Sequence, residues 1–168
     1  MEQMRKTLLL ALALALLLAW PAPLPARAAT KYQPCSLLTS AEVEAVLGVK
    51  VVRTYEDGES CYWLTASLPR VSLDVGRVPP GIQARDAVAQ YPKQLEELKR
   101  KGGTVQVAVN TSDLWCARIV QPAGDSSPPL GICAGVNKGF ILILSVFSKT
   151  VTGQQAKTLY DKAVARLR

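Results

Sequence analysis

Histidine is absent from this 168-residue chain, and aromatic residues make up only 6% of it. Without histidine the chain has no Ser-His-Asp triad, and a cysteine nucleophile has no imidazole to activate it. Ser-x-x-Lys, Gly-x-Gly-x-x-Gly and the P-loop are also missing. These absences argue against penicillin-recognising enzymes and against nucleotide-binding motifs. We therefore expect a protein that is not an enzyme and that holds no cofactor.

Carboxylate side chains are the catalytic candidates that remain. They occur in three close groups: Glu42 with Glu44, Glu56 and Asp57 with Glu59, and Glu96 with Glu97. A glycosidase needs two carboxylates facing each other across a cleft, and spacing in sequence does not show such a cleft. The spaced ligands of an EF-hand loop are absent, so we expect no metal site. A carboxylate-dependent glycan hydrolase stays as one alternative function.

The N-terminal segment has the three parts of a cleavable export signal. A positively charged start precedes an unbroken apolar run at residues 8–20, and Ala-Arg-Ala at 26–28 supplies the small-x-small cleavage pattern. A membrane span needs about 20 apolar residues, so this run is too short for an anchor. The pattern predicts a signal peptide at 1–28 and one exported domain at 29–168.

The exported part carries a moderate positive charge. Residues 1–28 hold three basic residues and one acidic residue, which leaves 17 basic against 12 acidic residues, or +5. This charge favours an envelope component, either a protein or an anionic polymer, and it also serves solubility. We expect no nucleic acid partner, since the charges are scattered. Cys35 follows Tyr-Gln-Pro rather than a lipobox, so we expect an unlipidated, soluble monomer, periplasmic or secreted, without a transmembrane segment in the mature chain.

The pattern of apolar and turn residues predicts the order α-β-β-β-α-β-β-β-β-α. Helices are expected at 39–48, 82–101 and 152–167, and strands at 49–55, 60–66, 71–78, 104–110, 114–121, 130–136 and 140–148. Thr39 with Glu42 and Thr152 with Gln155 have capping-box spacing, and Pro92 is expected to kink or divide the middle helix. Short hairpin links call for an antiparallel sheet. We expect a single α+β domain whose three helices pack most simply against one face of the sheet.

The four cysteines, in an exported chain, predict two structural disulfides. Cys116 and Cys133 lie on consecutive strands that flank a proline-rich loop at 122–129, so a hairpin brings them close. A bond from Cys35 to Cys61 would then fasten the first helix to the sheet. The competing interpretations are weaker, because a redox site needs Cys-x-x-Cys and a zinc site usually needs two close pairs.

Residues 34–48 read P-C-S-L-L-T-x-x-E-V-x-x-x-L-G, and C-x-W follows at 61–63. This pattern resembles the signature of an uncharacterised family of exported domains, known chiefly from actinobacterial lipoproteins, and the match is confined to residues 34–63. The resemblance implies an exported domain in which Cys35 and Cys61 form a disulfide. It implies no activity, because none is established for the family.

Aromatic and basic residues on the predicted strands are the candidates for a ligand surface. Trp63, Trp115 and Tyr62 could form an aromatic platform for a glycan or peptide, although core packing beside a disulfide is the more ordinary role of the tryptophans. Arg53 and Arg77, with two further arginines at positions 70 and 85, could form the rim of an anion site.

The resulting hypothesis is a non-enzymatic exported domain that binds a partner or ligand at the cell envelope. The first alternative is a carrier of a small amphiphile, which requires an apolar pocket of about 300 Å³ or more between the sheet and the helices.

Overall fold

The computed structural model describes residues 33–67 and 70–167, and the predicted signal peptide at 1–28 lies outside them. The described residues form an α+β domain in the predicted element order, except that the middle helical segment is two helices. The strands are β1 (Val51–Asp57), β2 (Ser60–Thr65), β3 (Arg70–Arg77), β4 (Thr104–Asn110), β5 (Leu114–Val120), β6 (Leu130–Asn137) and β7 (Phe140–Phe147). The helices are α1 (Ser40–Leu47), α2 (Ala84–Gln94), α3 (Glu96–Arg100) and α4 (Gly153–Ala165), preceded by a 3₁₀ turn at Pro34–Ser36.

The local signals for the helices are confirmed. Both predicted capping boxes form, with the Thr39 side chain at the start of α1 and the Thr152 side chain at the start of α4. Pro92 lies in the last turn of α2, which ends two residues later. Proline has no backbone N–H to continue the helical hydrogen bonds, which accounts for the division into α2 and α3.

The sheet consists of two antiparallel meanders joined along β3 and β7. The strand order is β1-β2-β3-β7-β6-β5-β4, so the first meander is β1 to β3 and the second is β4 to β7. Strands β3 and β7 pair over their whole length, from Arg70 opposite Phe147 to Arg77 opposite Phe140. The α2–α3 segment carries the chain from the centre of the sheet to its far edge at β4.

One face of the sheet is covered along its length by α1, the 3₁₀ turn and α4. Alternate residues of the central strands point into this core and are buried: Val71, Leu73 and Val75 on β3, and Leu142, Leu144 and Val146 on β7. Helix α4 contributes Ala156, Leu159, Tyr160 and Ala163. This first face contains the larger of the two buried clusters.

The expectation that all helices share one face is wrong. Helices α2 and α3 pack on the opposite, second face, where Val88 of α2 contacts a buried cluster of Trp115, Ala117 and Ile119 on β5. Strand β5 is apolar on both sides, because its intervening residue Cys116 is buried in the first face. A strand that is apolar on both sides needs cover on both sides, which one layer of helices cannot provide.

Both predicted disulfides are present. Cys35 in the 3₁₀ turn bonds Cys61 on β2, with the Cα atoms 5.0 Å apart, and Cys116 bonds Cys133 directly across β5 and β6, with Cα atoms 4.1 Å apart. Cys61, Cys116 and Cys133 are buried. The closed loops span 26 and 17 residues, for which loop entropy gives about 3 kcal/mol of stabilisation each.

Candidate binding surface

Half of the second face is not covered by any helix within residues 33–67 and 70–167. Helices α2 and α3 pack on β4, β5 and β6, and the second-face residues of β1, β2, β3 and β7 are all half-buried or exposed. We call this half the open face. It consists of Arg53, Tyr55, Asp57, Ser60, Tyr62, Leu64, Arg70, Ser72, Asp74, Gly76, Ile141, Ile143, Ser145 and Phe147.

The register of the strands places a basic and apolar row across one end of the open face. Arg53 pairs with Leu64, Leu64 pairs with Arg70, and Arg70 pairs with Phe147. We call these four residues the basic row. Because neighbouring strands lie about 4.8 Å apart, the backbones of the two arginines are about 10 Å apart, with the leucine between them.

Each guanidinium of the basic row rests on an aromatic ring. The Arg53 guanidinium carbon lies 5.2 Å from the ring centroid of Tyr55, and that of Arg70 lies 5.0 Å from the ring centroid of Phe147. Neither arginine forms an ion pair with a carboxylate in the described part of the chain. Contact with a ring orients the guanidinium without neutralising it, so its N–H groups remain able to bind an anion.

A pair of stacked tyrosines lies beside the basic row. Tyr55 and Tyr62 are cross-strand partners whose ring centroids are 4.9 Å apart at an interplanar angle of 16°. Tyr55 is 37% exposed. Ser72 and Ser145 continue this row across β3 and β7, so the aromatic pair borders a strip of hydroxyl groups.

The other end of the open face is acidic. Asp57 lies at the end of β1, and the Ser60 hydroxyl donates a hydrogen bond to the Asp74 carboxylate. The pKa of Tyr91 on α2 is raised, first by burial of its hydroxyl and second by the nearby Asp74 carboxylate. Tyr91 stacks on Trp115 with 6.4 Å between ring centroids, which places Asp74 at the border with the covered half. The open face is thus basic at one end and acidic at the other.

A cavity of about 510 Å³ opens beside the basic row. It is lined by Leu64, Thr65, Ser67, Arg70, Ser127, Pro128 and Phe147. Its last wall comes from Ser127 and Pro128 of the proline-rich loop. A second cavity, of about 330 Å³, lies away from the open face, between the end of α1 and the start of α4, near Leu47 and Gln155.

The two tryptophans do not form a ligand surface, which corrects that part of the prediction. Trp63 and Trp115 are each 1% exposed and lie in different cores, Trp63 in the first face and Trp115 in the second. Their rings fill the space between the sheet and the helices, as the core-packing alternative proposed.

The predicted arginines are separated by the fold. Arg53 lies on the open face, whereas Arg77 lies at the opposite end of β3 and on the other side of the sheet, with its guanidinium 5.2 Å from the ring centroid of Phe140. The residues that accompany Arg53 include Leu64 and Phe147, which the sequence analysis missed. Alternation along β2 and β7 indicates their side of the strand, but only the strand order shows that this side is uncovered.

The carboxylate groups named above lie in structural contacts. This holds for five of the seven: Glu42 bonds Arg166, Glu96 pairs with Lys99, Glu97 pairs with Lys101, and Glu44 and Glu56 each accept a hydrogen bond from a backbone N–H. Hydrogen bonding to Arg166, with smaller contributions from Thr39, lowers the pKa of Glu42 to about 2, whereas a catalytic acid needs a raised pKa.

Residues 33–67 and 70–167 contain neither a metal-binding cluster nor a membrane-spanning helix. No cluster of three or more cysteine, aspartate or glutamate side chains is arranged to hold a metal ion, and no helix there is long and apolar enough to cross a membrane.

Comparison with known proteins gives a similarity to a solved structure. No family model matches the chain, and no curated protein matches it. Among solved structures, the chain is similar to the solution structure of cyanobacterial PsbP (CyanoP) from Synechocystis sp. PCC 6803, with 12% sequence identity and a TM-score of 0.38. That match covers 71% of this chain and 92% of the other.

Proposed function

We propose that this protein is a non-enzymatic, exported binding domain whose open face binds a protein partner at the cell envelope through an acidic patch on that partner. The observation that carries the proposal is the basic row, in which two guanidinium groups that form no ion pair with any described residue lie on a sheet face that no described helix covers. Arginine binds carboxylates through two parallel hydrogen bonds, so two oriented guanidinium groups suit an acidic protein surface.

The composition of the open face supports a protein as the partner. Protein interfaces are enriched in tyrosine, phenylalanine and arginine, and these residues dominate the binding energy where they cluster. The open face combines the stacked tyrosines and both arginines with apolar Leu64, Ile143 and Phe147. Four strands of about eight residues present roughly 500 Å², somewhat less than the roughly 800 Å² per partner of a stable complex. A transient complex is therefore the form we expect.

The charge of the chain supports an acidic partner over a second copy. Residues 29–168 carry a net charge of +5, so two copies repel each other before contact. If two copies paired through their open faces with the basic rows facing each other, arginines without neutralising partners would be brought together. Only a pairing that placed each basic row against the acidic end of the other copy would avoid this repulsion.

Export is the second part of the proposal. A signal peptide at residues 1–28 and two disulfides agree with an oxidising compartment, since disulfides persist outside the cytoplasm. The mature protein would then be residues 29–168, in the periplasm or outside the cell.

The test compares two variants of equal charge. The mature protein, Arg53→Glu/Arg70→Glu and the control Arg85→Glu/Arg100→Glu are immobilised and exposed to envelope extract of the source organism. Both control positions lie on α2 and α3 and are exposed. We expect a protein that is retained by the wild type and the control, is lost from the open-face variant and elutes as salt is raised.

The retained protein is then purified and titrated by calorimetry. Loss of the two arginines of the basic row should weaken its binding by at least about 30-fold, since a hot-spot residue contributes 2 kcal/mol or more. Equal binding by both charge-reversal variants contradicts the proposal. So does an extract from which nothing is retained above background at low salt, and so does self-association of the protein through this face.

A further inference from the structure

The cavity beside the basic row has a composition that the binding of a protein partner does not explain. We infer that it is a second binding site, which shares Leu64, Arg70 and Phe147 with the basic row, and that its ligand is a small amphiphilic anion, namely a free carboxylic acid or phosphate monoester that bears an aliphatic or aromatic group. This inference does not require the protein partner proposed above. It rests on the charge, the apolar wall and the size of the cavity.

The charge in the cavity comes from Arg70. Its guanidinium carbon lies over the Phe147 ring, 5.0 Å from the ring centroid, and it makes no ion pair with any residue at 33–67 or 70–167. Among residues 33–67 and 70–167, no aspartate or glutamate lines the cavity. An anion that enters therefore meets one oriented cation and no competing carboxylate, which favours a two-point hydrogen bond to the guanidinium.

The walls of the cavity divide into an apolar and a hydroxyl part. Leu64, Phe147 and Pro128 supply apolar surface, while Thr65, Ser67 and Ser127 supply hydroxyl groups. Apolar walls with few convergent polar groups are typical of small-molecule sites. A ligand with a charged head and an apolar body satisfies both parts, whereas a sugar leaves the apolar wall unused and an inorganic anion leaves most of the volume empty.

The volume of the cavity sets the size of the ligand. At about 510 Å³, it lies within the range of about 300–1,000 Å³ that small-molecule sites occupy. A single acyl chain fits this range, while the two chains of a membrane phospholipid and their surrounding bilayer do not. We therefore assign the site to a free, single-chain or single-ring acid.

The experiment uses defined probes below their critical micelle concentrations. Octanoate, decanoate, dodecanoate and dodecyl phosphate are titrated into the mature protein by calorimetry, with octanol and decanol as neutral controls. Affinity should rise about fourfold per added methylene, because each buried methylene contributes a constant transfer free energy. The alcohols should bind at least tenfold more weakly than the acids of equal length, because they do not form the charged hydrogen bonds to Arg70.

Two pairs of variants locate the site. Ser127→Trp places a large ring in the mouth of the cavity, and Ser126→Trp places the same ring on the neighbouring exposed residue that does not line it. Arg70→Gln removes the charge inside the cavity, and Arg100→Gln removes an exposed charge on α3, outside the open face. We expect Ser127→Trp and Arg70→Gln to lose acid binding at least tenfold, while their controls keep wild-type affinity.

Three results overturn the inference: equal acid binding by Ser127→Trp and Ser126→Trp, affinity that does not depend on chain length, or binding only to vesicles containing phosphatidylglycerol and not to the free acids. The protein-partner proposal is judged separately, because Ser127→Trp leaves both arginines in place and should still retain the partner. If Ser127→Trp loses acid binding and still retains the protein partner, the acid and the partner are two different ligands that bind at adjoining positions.

Discussion

Replacing Glu42 with glutamine tests the ion pair that joins α1 to α4. The Glu42 carboxylate accepts hydrogen bonds from both terminal nitrogens of Arg166, at 2.9 and 3.0 Å, and from the backbone N–H of Thr39 at 3.0 Å. The residue therefore closes the capping box of α1 and also binds the end of α4. Glutamine can still close a capping box, so Glu42→Gln removes the charge and keeps the helix start.

The expected loss of stability follows from the lowered pKa. The pKa of Glu42 falls from 4.5 to about 2, chiefly through the hydrogen bond from Arg166, and a change of that size corresponds to about 3 kcal/mol. The Arg166 side chain is 40% exposed, so solvent screening reduces this figure, and we expect about 1 kcal/mol. Because the pKa is lower in the folded state, the contribution is present above pH 4.5 and is lost as the pH falls towards 2.

Urea unfolding, followed by the fluorescence of the buried tryptophans, measures this effect. At pH 7 the free energy of unfolding of Glu42→Gln should lie about 1 kcal/mol below that of the wild type, and the difference should shrink between pH 4.5 and pH 2. Arg166→Gln should cost about as much, and the double variant little more, since both remove the same contact. Glu96→Gln, which breaks an exposed pair with Lys99, is the control and should cost less than about 0.5 kcal/mol.

Two outcomes would refute this reasoning. If Glu42→Gln is as stable as the wild type at pH 7, the ion pair contributes nothing beyond the capping box. If the stability difference is the same at pH 7 and at pH 2.5, the lost interaction does not depend on the charge of the carboxylate.

Two further predictions concern packing and redox behaviour. Gly135→Ala should lower the melting temperature clearly, because the added methyl group clashes with the buried hydroxyl of Tyr160 and overpacking costs about 1–3 kcal/mol. The control Gly76→Ala should be tolerated, because its methyl group meets nothing closer than 3.8 Å. Equal melting temperatures for the two variants would contradict the packing around Gly135. Under a mild reductant the Cys35–Cys61 disulfide, in which Cys35 is half-exposed, should open before the fully buried Cys116–Cys133 disulfide, since exchange requires access to a sulfur. Alkylation and peptide mapping over time report the order of opening. Simultaneous opening of both disulfides would contradict the prediction.

The parts of the fold that follow local rules could be predicted from the sequence. Thr39 and Thr152 each begin a helix because a side-chain oxygen three residues before a glutamate or glutamine satisfies the free N–H groups of the first turn. Hairpin links place consecutive strands side by side, which also brought Cys116 opposite Cys133. These features depend on residues close together in the chain.

The open face could not be predicted, because it depends on a distant pairing. Nothing in the sequence of β3 indicates that it pairs with β7, about 70 residues away, and that pairing places Arg70 next to Phe147. The division of the helices between two faces has a similar cause. Trp115 and Cys116 are adjacent and both apolar, so alternation along β5 does not show which side needs cover.

The pairing of β3 with β7, which joins the two meanders, has a consequence for how the protein unfolds. One disulfide lies within the first meander and its 3₁₀ turn, the other lies within the second, and the bonds between β3 and β7 are therefore not reinforced by any covalent link. Leu73 and Leu144, which meet there, must find each other across a long stretch of chain, and such distant contacts form slowly. The basic row crosses this pairing from Arg70 to Phe147, so a ligand that spans the row would hold the two halves together, and hydrogen exchange along β3 and β7 should slow when it binds.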